Sequence, residues 1–149
     1  MADQNTRTGF DELAEKSILP MLRSAKIVTL SGAGDPFASR HFRGLMMRLG
    51  REEYPHLRFH LQTNGMLLTR KEWEKFPNLH GRVETLRVSI DAATAQTHEK
   101  LRLGATWSVM LENMEFFGEL KRQGLIENFW LAFVLANKKI MSFVLTHHD

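Results

Sequence analysis

Leu57-Arg58-Phe59-His60-Leu61-Gln62-Thr63-Asn64-Gly65 alternates apolar and polar side chains and then ends in a polar cluster. On a β-strand every second residue shares a face, so Leu57, Phe59 and Leu61 face one way while Arg58, His60, Gln62 and Asn64 face the other. The stretch over 83–91 repeats the pattern, with Leu86, Val88 and Ile90 opposed to Arg87, Ser89 and Asp91. Two further apolar runs, 26–30 and 129–135, predict a strand before this pair and a strand after it.

Helical periodicity fills the gaps between these strands. A helix is predicted over 10–23, with Leu13, Ser17, Met21, Ile18 and Leu22 at helical spacing, and Pro20 should kink or end it. Ser39 can cap a second helix whose stripe is Phe42, Leu45, Met46 and Leu49 and which Gly50 closes. Thr69-Arg70-Lys71-Glu72 has the form of a capping box, opening a short helix that stops before Pro77. Thr94 opens a helical stretch to Arg102. Thr106 starts a longer one in which Trp107, Met110, Leu111, Met114, Phe117 and Leu120 share a side until Gly124.

Strands alternating with helices, and without a tight hairpin signal, predict an α/β fold of parallel strands joined by right-handed crossovers. Parallel strands covered by helices on both faces are apolar on both faces. A polar side on each strand instead predicts helices on one face only, in an open, curved partial barrel whose polar side lines a cleft.

The 149 residues, 43% hydrophobic and 25% charged, fit one domain. A net charge of +3, with both signs interspersed along the helices, is not a nucleic-acid footprint. There is no cysteine, which excludes a disulfide framework and is compatible with a reducing compartment. No apolar stretch is long enough to span a bilayer, and the first residues lack the basic lead and hydrophobic block of a signal peptide. A cytoplasmic location is expected by elimination.

Three polar clusters follow the first three strands. Ser31-Gly32-Ala33-Gly34-Asp35-Pro36-Phe37 offers loop amides beside a carboxylate, and two glycines that let a ligand approach the main chain. Gln62-Thr63-Asn64-Gly65 and Ser89-Ile90-Asp91-Ala92-Ala93-Thr94 come next. Each also has a plain structural reading: a strand-to-helix turn for the first, a turn dipeptide for Asn64-Gly65, and a helix cap for Ser89 to Asp91. His60, on the polar side of its strand, is a candidate for substrate contact or a solvated histidine. An unrelated phosphate-binding turn at Gly32 to Pro36 would lack the P-loop lysine and would set Asp35 against the phosphate.

With Arg102-Leu103-Gly104 following, these segments resemble, from about residue 19 to 137, the core of the radical S-adenosylmethionine (SAM) superfamily. The resemblance is to the branch that often carries a C-terminal extension with auxiliary clusters. It implies an incomplete TIM-type partial (β/α)6 barrel with about four strand-helix units, in a single domain over 1–149. Residues 1–9 are then expected to be disordered and 142–149 to be a truncated tail.

By the same resemblance, Gly32, Gly34, Asp35 and Pro36 grip the amino group of SAM, with Asp in place of the commoner Glu. Thr63 and Asn64 belong to the same cofactor-binding rim, Ser89 and Asp91 face the ribose, and Arg102 approaches the SAM carboxylate. Relatives hold a [4Fe-4S] cluster on a C-x3-C-x2-C loop and cleave SAM to a 5′-deoxyadenosyl radical. Without those thiolates the chain is expected to be a fragment or degenerate form, inactive by itself. The alternative is a non-catalytic module that binds SAM, a nucleotide or a peptide. Small-molecule SAM is the expected partner, with a peptide or protein substrate beside it, and neither membrane nor nucleic acid is expected.

Overall fold

The computed structural model describes residues 9–31, 35–91, 94–101, 104–135 and 141–145. Its first helical stretch widens into a π-turn at Ala14–Ile18 and continues as α1, Leu19–Leu22. Pro20 therefore neither ends nor breaks the helix where the sequence pattern points. Proline has no N–H and its ring crowds the carbonyl four residues back; a widened turn, closed by Leu19 N–H donating to the Ala14 carbonyl, relieves that clash.

Next come β1 (Ile27–Leu30), α2 (Arg40–Arg48), β2 (Arg58–Thr63), α3 (Arg70–Trp73), a 3₁₀ turn at Pro77–Leu79 and β3 (Val83–Ile90). The chain continues through α4 (Ala95–Leu101), α5 (Trp107–Arg122), β4 (Ile126–Leu135) and β5 (Met141–Leu145). The sheet order is β1-β2-β3-β4-β5. β1 to β4 are parallel, as the alternation of strands and helices requires, whereas β5 runs antiparallel to β4 and pairs Phe143 with Phe133. The fold is thus α/β around a four-stranded parallel sheet. The antiparallel fifth strand takes up residues 141–145, where the resemblance implies only a tail. Among the described residues no helix is long and apolar enough to cross a membrane.

The strand faces divide as the period-two pattern demands. Leu30, Phe59, Leu61, Leu86 and Val88 join Leu45, Met46, Leu49, Trp73, Phe117 and Leu120 in one core between the sheet and its helices. On the other face Thr29, Gln62, Arg87 and Trp130 are exposed. The apolar stripe of α5 is rotated from the expected one: Leu111 is exposed, and Asn113 and Phe116 are buried with Met110, Phe117 and Leu120.

Ser39 and Thr69 act as caps, accepting from Phe42 N at 3.4 Å and Glu72 N at 3.2 Å. The reciprocal half of the Thr69 box is not made. The Thr69 N–H donates to the Leu67 carbonyl, and the Glu72 carboxylate pairs with Arg43 and with Lys75 instead. Burial pushes the Glu72 carboxyl up, but hydrogen bonds from Lys75 and Arg43, helped by their charges, outweigh it and hold the group below its ordinary value.

A depressed folded-state value means that the native state binds the proton less readily than the unfolded chain. The stabilisation is complete above the unfolded carboxyl value of about 4.3 and disappears as pH falls through the folded one. Glu72→Gln is therefore expected to be less stable than wild type near neutrality, with the gap closing on acidification. Denaturant titrations across that range measure it, and a gap independent of pH would contradict the assignment.

Candidate rim at the ends of the parallel strands

Because β1, β2 and β3 are parallel and adjacent, the residues after Leu30, Thr63 and Ile90 emerge on one edge of the sheet. Asp35 joins the first two loops. Only 6% exposed, it accepts through Oδ1 from Phe37 N at 2.9 Å, and through Oδ2 from the Thr63 hydroxyl and from Asn64 N at 2.8 Å. Its backbone carbonyl also receives Ala38 N and Ser39 N, which starts the run into α2. Thr63 is fully engaged, since its oxygen accepts from Gly65 N at 3.0 Å while its proton goes to Asp35.

Strand β3 is joined to the second loop by packing. Gly65 has φ +78°, and its α-carbon lies so close to β3 that a Cβ would meet Val88 Cγ1 at 2.8 Å. From α5, Asn113 Nδ2 donates to the Gly65 carbonyl at 2.8 Å and to that of Met66 at 3.3 Å, holding the turn from the helix side. Arg43 of α2 donates to the Phe37 carbonyl at 3.0 Å while paired with Glu72, which fixes the residues after Asp35. His98 of α4 is fully buried, edge-on to Trp107 at 5.4 Å, with neither ring nitrogen bonded among the described residues.

Of the residues singled out from sequence, Asp35, Pro36, Thr63, Asn64, Ser89 and Asp91 fall in the described chain, and all stand at the C-terminal ends of β1 to β3. Gly32, Gly34 and Arg102 lie outside the described residues. Direct contact is made between Asp35 and the Thr63-Asn64 pair. Ser89 is the penultimate residue of β3 and Asp91 follows it; both are half-buried.

An ionised carboxylate has about four lone-pair sites, and three of those on Asp35 are occupied from within the chain. Asp35 is thus first a knot between loops, and among the described residues one acceptor direction is left. Asn64 accepts from Met66 N at 2.9 Å through Oδ1, and its amide N–H₂ makes no bond among the described residues. The Asn64 amide and the remaining acceptor direction of Asp35 thus give adjoining loops a donor and an acceptor, a pairing suited to the carboxylate and ammonium of an amino acid.

Asn113 and Arg43 are the contributors that the sequence pattern does not reveal. The one local sign of Asn113 is a polar residue three positions after Met110 and four before Phe117, in the middle of an apolar stripe. Among the described residues no three His, Asp or Glu side chains gather as metal ligands would. No family model matches the chain, and no curated protein is significantly similar to it in sequence.

Proposed function

We propose that this chain is a SAM-binding domain of the radical SAM type, its sheet being part of a partial (β/α)6 barrel, and that it acts in the cytoplasm. The observation that carries the reading is that the loops after two successive parallel strands, β1 and β2, meet on the Asp35 carboxylate, with the end of β3 on the same edge of the sheet. Support also comes from the sequential strand order and from a sheet with helices on one face and polar side chains on the other.

In this reading the amino group of SAM meets the Gly32 to Pro36 segment, Asn64 donates from the second loop, Ser89 and Asp91 take the ribose hydroxyls, and Arg102 takes the carboxylate. A guanidinium suits that anion because its fork makes two parallel hydrogen bonds.

A [4Fe-4S] cluster does not fit the residues present. Such a cluster needs thiolates, and the sequence has no cysteine. Reductive cleavage is therefore not assigned to this chain; its part is to bind and orient the cofactor, which favours the reading as a binding module.

The test is titration of the ¹⁵N-labelled chain with SAM, followed by amide spectra. Saturable shifts are expected at Asp35 and Phe37, at 64–66 and at 89–91 together. Absence of saturable shifts, or shifts confined to other parts of the chain, would overturn the proposal.

A further inference from the structure

The open face of the sheet carries its own chemistry, independent of SAM. Strand register places Thr29 beside His60 and His60 beside Thr85; one step along, Gln62 lies beside Arg87 and Arg87 beside Trp130. With strands about 4.8 Å apart, that second row spans roughly 10 Å. These six side chains line a cavity of about 260 Å³.

Among the described residues, the charged side chains around this cavity are paired except at one point. A slip in register after Phe59 pairs His60 with Thr85 rather than Glu84, and the extra residue, Glu84, reaches His60 Nε2 at 3.1 Å. Arg58 pairs with Glu127. Arg87 is exposed and makes no hydrogen bond or ion pair among the described residues, and no carboxylate lines the cavity. Beside it Trp130 is 38% exposed, while Trp73 is buried, and the Trp130 ring has neither a cation nor another ring against it among the described residues.

We propose that this row binds a small aromatic carboxylate, its anion held by the Arg87 guanidinium with help from Gln62 and its ring laid against Trp130. The donor count decides the charge: Arg87 contributes five N–H groups, Gln62 two and Trp130 one, against a single amide oxygen as acceptor. A lone guanidinium matches a planar carboxylate bidentately, and the apolar wall of Trp130 asks for a flat body rather than a naked anion. The cavity lies just below the roughly 300–1,000 Å³ of sites for drug-sized ligands, so one ring is the fitting size.

Benzoate is the probe, followed by the fluorescence of the chain, with Trp130→Phe assigning the signal. A saturable change is expected that disappears in Trp130→Phe. Benzamide, of the same shape without the charge, should bind at least about tenfold more weakly, and Arg87→Gln should weaken benzoate by a similar factor. Arg87 is exposed and unbonded, so the Arg87→Gln variant should keep the wild-type denaturation midpoint and the loss will not be one of folding. Equal binding of benzoate and benzamide, or undiminished benzoate binding by Arg87→Gln, would overturn the proposal. So would displacement of benzoate by inorganic phosphate at comparable concentration, which would mark a general anion patch.

Discussion

Arg82→Ala is expected to lose about 3–5 kcal/mol of stability, the largest loss for any single side chain outside the apolar core. Arg82 is only 3% exposed and has no carboxylate partner among the described residues. Its guanidinium instead donates to four backbone carbonyls: Leu57 at 3.1 Å, Leu49 at 2.7 Å, Asn78 at 3.1 Å and Tyr54 at 2.6 Å. The head group also lies 5.1 Å from the centre of the Phe59 ring. Burial pushes its pKa down, and the positive charges of Arg51 and Arg58 add to that, so the cation persists because carbonyl dipoles replace its water.

Each hydrogen bond to a charged group is worth about 1.5–3 kcal/mol, but the sum must be reduced. The Tyr54 carbonyl also accepts from Leu57 N, and water can enter part of the space left behind. A hydrophobic replacement offers no remedy, because the abandoned partners are main-chain groups that cannot be changed with it. Since domains are stable by only about 5–15 kcal/mol, the urea midpoint should fall steeply. Arg82→Lys should recover less than half of the loss, because one ammonium cannot reach four diverging carbonyls. A midpoint for Arg82→Ala close to wild type would show that the carbonyls find other partners.

The consequence extends to both candidate sites. Arg82 ties the end of α2 to the residue just before β2, and the start of β2 sets which side chains stand beside Thr29 and Arg87. That tie could not be read from sequence, where Arg82 is one basic residue between Gly81 and Val83. What was legible is what repeats locally. The alternation of Leu57, Phe59 and Leu61 fixed a face, and Ser39 and Thr69 marked helix starts because a cap reaches only three residues along the chain.

Features set by tertiary contact were hidden. The π-turn before Pro20, the extra residue at Glu84, Asn113 on the apolar side of α5 and the antiparallel direction of β5 all depend on what packs alongside. The rim is legible as three clusters of polar residues, and the sequence leaves Asp35 either a ligand group or part of a plain strand-to-helix turn. Its three internal hydrogen bonds appear only once parallel pairing has brought Thr63 and Asn64 beside it.

Gly65→Ala should be the most damaging addition of a single methyl group, costing about 2–5 kcal/mol. Two effects combine. A side chain at φ +78° is in the left-handed region, which costs roughly 1–2 kcal/mol, and crowding a packed core adds about 1–3 kcal/mol. The new Cβ would meet Met110 Sδ at 3.2 Å and Met114 Cε at 3.3 Å, and both are flexible ends that can yield. Val88 Cγ1, at 2.8 Å, cannot: it is β-branched, fully buried and fixed to the central strand of the parallel sheet.

Relief must therefore come from the loop, which would carry Asn64 N away from Asp35 and the Gly65 carbonyl away from Asn113. A Val88→Ala background separates the two effects, since it removes the clash and leaves the backbone conformation. There Gly65→Ala should cost only the left-handed share of about 1–2 kcal/mol, a coupling readable as a double-mutant cycle on denaturation midpoints. If Gly65→Ala costs the same in both backgrounds, Val88 does not hold the second loop in place, and the packing that joins it to β3 is wrong.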